Sequence, residues 1–68
     1  MAKLTDFKTR ILDEKSQLDD KISKLEPFIK SYNFEILPEN QRELLKRQLE
    51  VMKEYSSILK DRIELLGL

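Results

Sequence analysis

The chain has no cysteine and no histidine, and it has a single glycine, at position 67. Without cysteine there can be no disulfide, and without either residue the usual zinc sites are excluded. Carboxylate sites remain open, but no calcium-loop spacing of the D-x-D-x-D-G type occurs. The position of the glycine also excludes a glycine-rich phosphate loop. We therefore expect no metal site and no cofactor.

Long apolar runs are also missing. The longest is far too short to cross a bilayer, and residues 1–6 lack the apolar core of a signal peptide. We therefore expect a cytoplasmic protein with no membrane partner. Basic and acidic residues balance at 13 each and alternate along the chain. This balance argues against duplex DNA or RNA as the main partner.

Groups suited to catalysis are scarce. A nucleophilic serine or threonine normally needs a histidine base, and the chain has none. The adjacent carboxylates Asp13–Glu14 and Asp19–Asp20 would point in different directions on a helix. Neither pair therefore forms a natural acid–base dyad, and we predict that the protein is not an enzyme.

The length predicts one domain, spanning residues 1–68. At this size a single core barely offsets the entropy lost when the chain is ordered. Small proteins are usually stabilised by disulfides, metals or oligomerisation. Because the first is excluded and no metal-ligand pattern is present, the sequence predicts self-assembly.

Apolar residues recur at heptad-like steps through the first half of the chain, which predicts a long amphipathic helix. This seam consists of Leu4, Phe7, Ile11, Leu18, Ile22, Leu25, Ile29 and Tyr32. Pro27 removes a backbone donor and clashes with the preceding turn, so we expect a kink or a restart near Lys24–Pro27. Residues 31–38 then form the connection, with Phe34, Ile36 and Leu37 expected to close over the end of a hairpin.

A second helix is predicted from Pro38 to Leu65 or Leu66, with Gly67 past its end. Its apolar residues form two adjacent stripes: Leu45, Leu49, Met52, Leu59, Ile63 and Leu66 in one, and Leu44, Val51, Tyr55, Ile58 and Leu65 in the other. A single partner helix covers only one narrow stripe, so the other predicts an interface. The fold expected is all-α: an antiparallel two-helix hairpin with a kink near Pro27, assembled into a compact homo-oligomer.

Most of the chain follows a pattern of apolar and charged positions. The first helix contributes Phe7, Arg10, Ile11, Glu14, Lys15, Leu18, Lys21, Ile22, Leu25, Phe28 and Ile29. The second part contributes Leu37-Pro38, Leu44-Leu45, Gln48, Met52, Tyr55, Ile58-Leu59 and Arg62-Ile63. This pattern resembles the phage anti-CBASS cyclic-oligonucleotide sponge family. A related helical hairpin occurs in one class of anti-Thoeris sponge.

The resemblance implies a homohexamer that sequesters cyclic dinucleotides between its protomers without cleaving them. Such a protein would block CBASS immunity from the host cell cytoplasm during infection. An aromatic residue near the N-terminus would stack on a base, and a lysine would meet the phosphates; Phe7 and Lys21 match these positions. A separate cyclic-trinucleotide site would use an arginine, matched by Arg62. The stacking residue of the family is typically tyrosine, and Phe7 departs from that pattern.

Each of these residues also has a structural interpretation. Phe7 fits the apolar seam, and Lys21 beside Asp20 would serve equally as a solvated charge. Arg62 lies between Ile58 and Leu65 on the second stripe, where it would either snorkel at an interface or point into a pocket. Two further functions remain open: an adaptor whose spare stripe docks a helix of another protein, and a purely structural oligomer.

Overall fold

The computed structural model describes residues 2–67, and it describes side chains from residue 6 onward. Within this range the chain forms three helices: α1 (Ala2–Ile29), α2 (Tyr32–Glu35) and α3 (Glu39–Leu65). Asp19 of α1 meets Ser56 of α3, and Glu26 meets Lys53. Because later positions on α1 meet earlier positions on α3, the two long helices are antiparallel. The all-α prediction is confirmed, whereas the homo-oligomer stays a prediction.

Helix α1 continues through Pro27 to Ile29 and does not restart. Pro27 lies in the last turn, where its missing N–H removes one hydrogen bond to the carbonyl of Ser23. The Lys30 N–H donates to the Pro27 carbonyl at 3.1 Å, and this bond begins the turn that ends the helix. A proline so close to the end therefore leaves the helix continuous. The kink expected near Pro27 stays a prediction.

The connection contains α2, a short helix that the sequence analysis did not predict. Ser31 is its N-cap: the Phe34 N–H donates to Ser31 Oγ at 3.4 Å. The Ser31 hydroxyl donates in turn to the carbonyl of Phe28 at 2.6 Å. Phe34 is buried, as expected, and Leu37 is half-buried. Ile36 is 62% exposed, because successive residues of this tight connection cannot all face the end of the hairpin.

Helix α3 lies within one residue of its predicted bounds. Pro38 is its N-cap instead of its first helical residue, and Glu39 begins the first turn, where the helix dipole favours an acid. Leu66 is the C-cap, and Gly67 follows with φ +76°. Only glycine adopts this left-handed conformation without strain, so its position after the last turn terminates the helix.

The core is thin. Among the residues whose side chains are described, only Ile11, Phe34 and Leu59 are buried apolar residues. The other members of the first predicted α3 stripe are half-buried, so this stripe is the face of α3 that packs on α1. Leu4 of the predicted seam lies outside the described side chains. No helix in the described part of the chain is long and apolar enough to cross a membrane.

The second predicted stripe of α3 is exposed along its whole length. Its exposed fractions are 53% for Leu44, 63% for Val51, 39% for Tyr55, 50% for Ile58 and 89% for Leu65. These five residues are called the α3 stripe below. The chain measures 51 by 15 by 15 Å, so this apolar surface follows one side of a narrow rod.

Candidate functional site

An open groove of about 410 Å³ lies between the second half of α1 and the middle of α3. Its lining residues are Lys21, Lys24, Leu25, Phe28, Gln48 and Met52. Lys24, Leu25 and Phe28 follow Lys21 by three, four and seven positions, so the four α1 residues share one face of that helix. Gln48 and Met52 are four positions apart and share a face of α3 for the same reason. The antiparallel packing brings these two faces together.

The floor of the groove is apolar and is supported from below by α2. Leu25, Phe28 and Met52 are half-buried. The ring of Phe28 packs edge to face against the buried ring of Phe34, with centroids 6.1 Å apart and planes at 85°. Lys46 Nζ lies 5.9 Å from the centroid of Phe34. The cap that Ser31 gives to α2 therefore also holds the aromatic part of the groove floor in place.

The rim of the groove carries exposed ammonium groups. Lys24 Nζ lies 3.1 Å from Asp20 Oδ2, but both side chains are largely exposed, and such pairs contribute little. Lys21 takes part in none of the ion pairs formed by the described side chains. Its charge is therefore available to a ligand that enters the groove.

A second hollow, of about 330 Å³, adjoins the groove on α3. It is lined by Leu44, Arg47, Gln48, Val51 and Met52, so Gln48 and Met52 belong to both hollows. Among the lining residues of the two hollows there are three cations and no carboxylate. The chain has no net charge, yet this surface concentrates positive charge around an apolar floor and favours anions with an apolar part.

Two polar contacts between the helices flank this part of α1. Asp19 accepts hydrogen bonds from Lys15 at 2.6 Å and from Ser56 of α3. The bond from Lys15 and then that from Ser56 lower the pKa of the Asp19 carboxyl. One heptad later Glu26 pairs with Lys53 of α3 at 2.6 Å, and the hydrogen bond from that lysine lowers the pKa of Glu26. These contacts join α1 to α3 in the register in which the groove residues face each other.

The match to one protein family decides the family of this chain. A family model described as Sequestin matches residues 5–65, nearly the whole chain. The chain belongs to the Sequestin family. The matched range includes every residue that lines the groove and the adjoining hollow. No curated protein and no solved structure matches the chain.

The structure places the three predicted site residues of this Sequestin chain in different regions. Lys21 lines the groove. Phe7 lies near the start of α1 and is 43% exposed; its 14 positions from Lys21 correspond to about 21 Å along the helix. Arg62 is exposed in the last turn of α3 and lines neither hollow. A single chain therefore does not bring the three side chains together.

The exposure of Phe7 bears on whether its ring stacks on a ligand or packs in the apolar seam. Ile11, the next member of the seam, is 2% exposed, and Leu18 and Ile22 farther along the seam are half-buried. Phe7 instead presents nearly half of its surface, which leaves its ring accessible to a ligand or to another chain. Arg62 lies between two exposed residues of the α3 stripe, Ile58 and Leu65, and adds a charge to that stripe.

Sequence reasoning missed the contribution of α3 to the groove. Gln48 was part of the family-like pattern but had no assigned role, and Met52 was predicted only as a member of the first apolar stripe of α3. Lys24 and Phe28 follow Lys21 at helical spacing, a signal that does identify one cationic and aromatic face. No comparable signal in the sequence pairs that face with Gln48, because the pairing depends on the register between α1 and α3.

Proposed function

We propose that this chain is a non-catalytic phage sponge that binds cyclic oligonucleotide second messengers and withholds them from host CBASS immunity. The Sequestin family name suggests a sequestering function. The observation that carries the proposal is the position of Lys21, the predicted phosphate ligand, on the rim of an open apolar groove beside Lys24. The protein acts in the host cell cytoplasm, where these messengers are made.

The chemistry of the groove fits a cyclic dinucleotide, which carries two flat bases and two phosphates. A base stacked on an aromatic or apolar surface gains about 1–3 kcal/mol. A lysine at a phosphate adds a charge-assisted hydrogen bond worth about 1.5–3 kcal/mol. The groove volume of about 410 Å³ lies in the range of roughly 300–1,000 Å³ that is usual for small-molecule sites.

Binding without cleavage fits the groups that line the groove. They offer ammonium and amide groups, which hold phosphates and base edges, and apolar side chains, which hold rings. Hydrolysis of a phosphodiester needs a base to activate water or a metal ion to do so. No carboxylate is among the lining residues, so the groove supplies affinity without supplying a base.

The complete site is assembled from several copies of the chain, as a homohexamer. Phe7 and Lys21 are separated by about 21 Å along one helix, farther than a cyclic dinucleotide extends. One ligand therefore contacts both residues only when they come from different protomers. The exposed α3 stripe supplies the apolar surface for such assembly. Only three of the described side chains are buried apolar residues, and so small a core supports the proposal that the chain is stabilised by assembly.

A second ligand class, the cyclic trinucleotides, is assigned to Arg62. Its guanidinium stands among the exposed apolar side chains of the α3 stripe. A guanidinium held at an interface can bind phosphate oxygens through two parallel hydrogen bonds. In a single chain Arg62 lines neither hollow, and we assign it to a site separate from that of the cyclic dinucleotides, as the resemblance implies.

A thermal-shift scan of the purified full-length protein tests the proposal. The ligands are cyclic dinucleotides, cyclic trinucleotides and cyclic ADP-ribose isomers. A ligand at a thousandfold excess over its Kd stabilises the folded state by about 4 kcal/mol, which raises the Tm of so small a protein by many degrees. Heating the complex must then release intact ligand, as chromatography would detect. No shift with any cyclic oligonucleotide, or release of hydrolysed product, would overturn the proposal.

The exposed α3 stripe also favours one alternative, an adaptor that docks a helix of another protein. An adaptor would be a single chain in solution, and its stripe would become protected only when the partner is added. Light scattering coupled to gel filtration separates the two functions. A multiple of the chain mass supports the sponge, and the mass of one chain supports the adaptor.

A further inference from the structure

We propose that the α3 stripe is covered by α3 of a second copy of this chain, with the two helices antiparallel. The inference rests on the proposed function in one respect, because it identifies an interface of the assembled sponge. Four residues of the stripe, Leu44, Val51, Ile58 and Leu65, recur every seven residues and are all exposed. A spacing of seven keeps an apolar seam on one side of a helix that coils around a partner. The uncovered surface of α3 therefore has the pattern of a coiled-coil seam.

A second row of exposed residues completes the seam. Gln48, Tyr55 and Arg62 each precede a member of the first row by three positions, so they occupy heptad position a and the first row occupies position d. A parallel partner would place each residue at a against its own copy, including arginine against arginine. An antiparallel partner exchanges the two rows, so the residues at a lie opposite the apolar residues at d. The antiparallel arrangement therefore covers the seam without opposing two guanidinium groups.

The overlap of the apolar residues selects one register for this pair of helices. With the two-fold axis near Lys53, each of the four residues at d faces a residue at a on the second copy. For Leu65, near the end of α3, that residue is Gln41. A shift by one heptad in either direction moves Leu44 or Leu65 beyond the end of the partner helix. The central register therefore removes the largest apolar area from water.

Charged residues border the seam on the side away from α1. Arg47, Glu54 and Asp61 are also seven positions apart, all three are exposed, and none takes part in the ion pairs formed by the described side chains. They occupy position g, whose charges set the orientation of coiled-coil partners. In the central register Arg47 of each copy lies beside Asp61 of the other, which gives two opposite-charge pairs. A parallel partner would place these charges beside position e, which is apolar along α3.

Crosslinking of single-cysteine variants of the full-length protein tests the arrangement, because the natural chain has no cysteine. Glu54 lies beside its own copy at the two-fold axis, so a short bismaleimide should join Glu54→Cys into a covalent dimer. Arg47→Cys and Asp61→Cys should each give little product alone. Mixed in urea and refolded together, these two variants should give a covalent heterodimer. Lys60→Cys, an exposed position on the side of α3 opposite the stripe, is the control and should give little product.

Charge reversal gives an independent test by light scattering. Arg47→Glu replaces both opposite-charge pairs with like-charge pairs and should raise the concentration at which half of the assembly dissociates by about threefold or more. The double variant Arg47→Glu, Asp61→Arg should restore the wild-type value. The two residues are 14 positions apart, about 21 Å along one helix, so this rescue must act between copies. Lys60→Glu is the matched control and should leave the concentration unchanged.

The outcomes separate the pairing of α3 from the proposed function. If the wild type binds cyclic oligonucleotides but Glu54→Cys gives no covalent dimer, or the double variant shows no rescue, the pairing is overturned and the sponge stands. Efficient dimerisation of Arg47→Cys alone would also overturn the pairing. If crosslinking and rescue occur as expected but no cyclic oligonucleotide binds, the pairing stands and the sponge fails. Circular dichroism melts verify that each variant is folded, and all the substituted positions are exposed.

Discussion

Ser56 of α3 donates a hydrogen bond to Oδ1 of Asp19 on α1, while Lys15 donates to Oδ2 of the same carboxylate. The carboxylate of Asp19 thus accepts one hydrogen bond from its own helix and another from a residue 37 positions away on the other helix. Since most contacts between the helices are apolar and adjustable, this directional bond helps to choose the register. The faces that form the groove depend on that register.

Removing the hydroxyl of Ser56 should destabilise the protein. Ser56→Ala leaves Asp19 paired with Lys15 and removes one hydrogen bond, which costs about 1 kcal/mol in the free energy of unfolding. Urea denaturation at one fixed protein concentration measures the change. Ser57→Ala is the matched control, because Ser57 is its exposed neighbour. Equal losses in the two variants would contradict a specific role for the Ser56–Asp19 bond.

Stability should fall in acid. The folded protein lowers the pKa of Asp19 and of Glu26 from their ordinary values of 3.8 and 4.5. The stabilisation that these two ionised carboxylates give to the folded protein is complete above their ordinary pKa values. It is lost as the pH falls through those values toward the lowered pKa values of the folded state. The Tm should therefore change little between pH 7 and about 6 and drop below about 4.5. A Tm that rises over the acid range would contradict this linkage, and the double variant Asp19→Asn, Glu26→Gln should show a weaker acid response.

Disrupting the α3 stripe should dissociate the assembly. Ile58→Glu places a charge at the centre of the stripe, where burial against another chain would leave that charge unpaired and cost several kcal/mol. Light scattering should report a smaller mass than that of the wild type at equal concentration. Lys60→Glu, an exposed position outside the stripe, should keep the wild-type mass. An unchanged mass for Ile58→Glu would remove the stripe from the interface.

Removing the ammonium group of Lys21 should weaken cyclic-dinucleotide binding. Loss of one charge-assisted hydrogen bond to a phosphate predicts an affinity lower by roughly 10-fold to 150-fold. The assembly should stay intact, because Lys21 forms no ion pair with the described side chains. Calorimetric titration measures the loss, with Lys60→Ala as a control for the removal of a surface charge. Wild-type affinity in Lys21→Ala would exclude Lys21 from the site.

Arg62→Ala should separate the two ligand classes. We expect it to weaken cyclic-trinucleotide binding by roughly tenfold or more and to leave cyclic-dinucleotide binding unchanged, because the two ligand classes are proposed to bind at separate sites. Parallel titrations with one ligand of each class provide the comparison. An equal loss for both classes would mean that Arg62 acts through the assembly instead of through a site of its own.

The long helices could be predicted from the sequence because their apolar residues recur at helical spacing over many turns. The two stripes of α3 were identified by spacing alone, and the exposure of Leu44, Val51 and Leu65 shows which of them is left uncovered. The short helix α2 gives no such signal, since four residues are too few for periodicity. Its one local indication is Ser31, a favoured N-cap residue.

The groove could be predicted only in part. Lys21 was selected through a resemblance to a family, and the exposed rim position is compatible with the role assigned to it. The opposite wall could not be predicted, because it depends on which residue of α3 faces which residue of α1. That register depends on contacts between distant positions, to which the pairs of Asp19 with Ser56 and Glu26 with Lys53 contribute. Such pairings leave no periodic trace in a single sequence.

The short connection between α1 and α3 has a kinetic consequence. Only residues 30–38 separate the two long helices, so many contacts join residues that are near in sequence, and such low contact order allows folding in microseconds to milliseconds. Encounters between separate molecules are slower at the low concentrations of a newly expressed protein and depend on concentration. Recovery of ligand binding after dilution from urea should therefore speed up with increasing protein concentration, because assembly of the chains is the slower step.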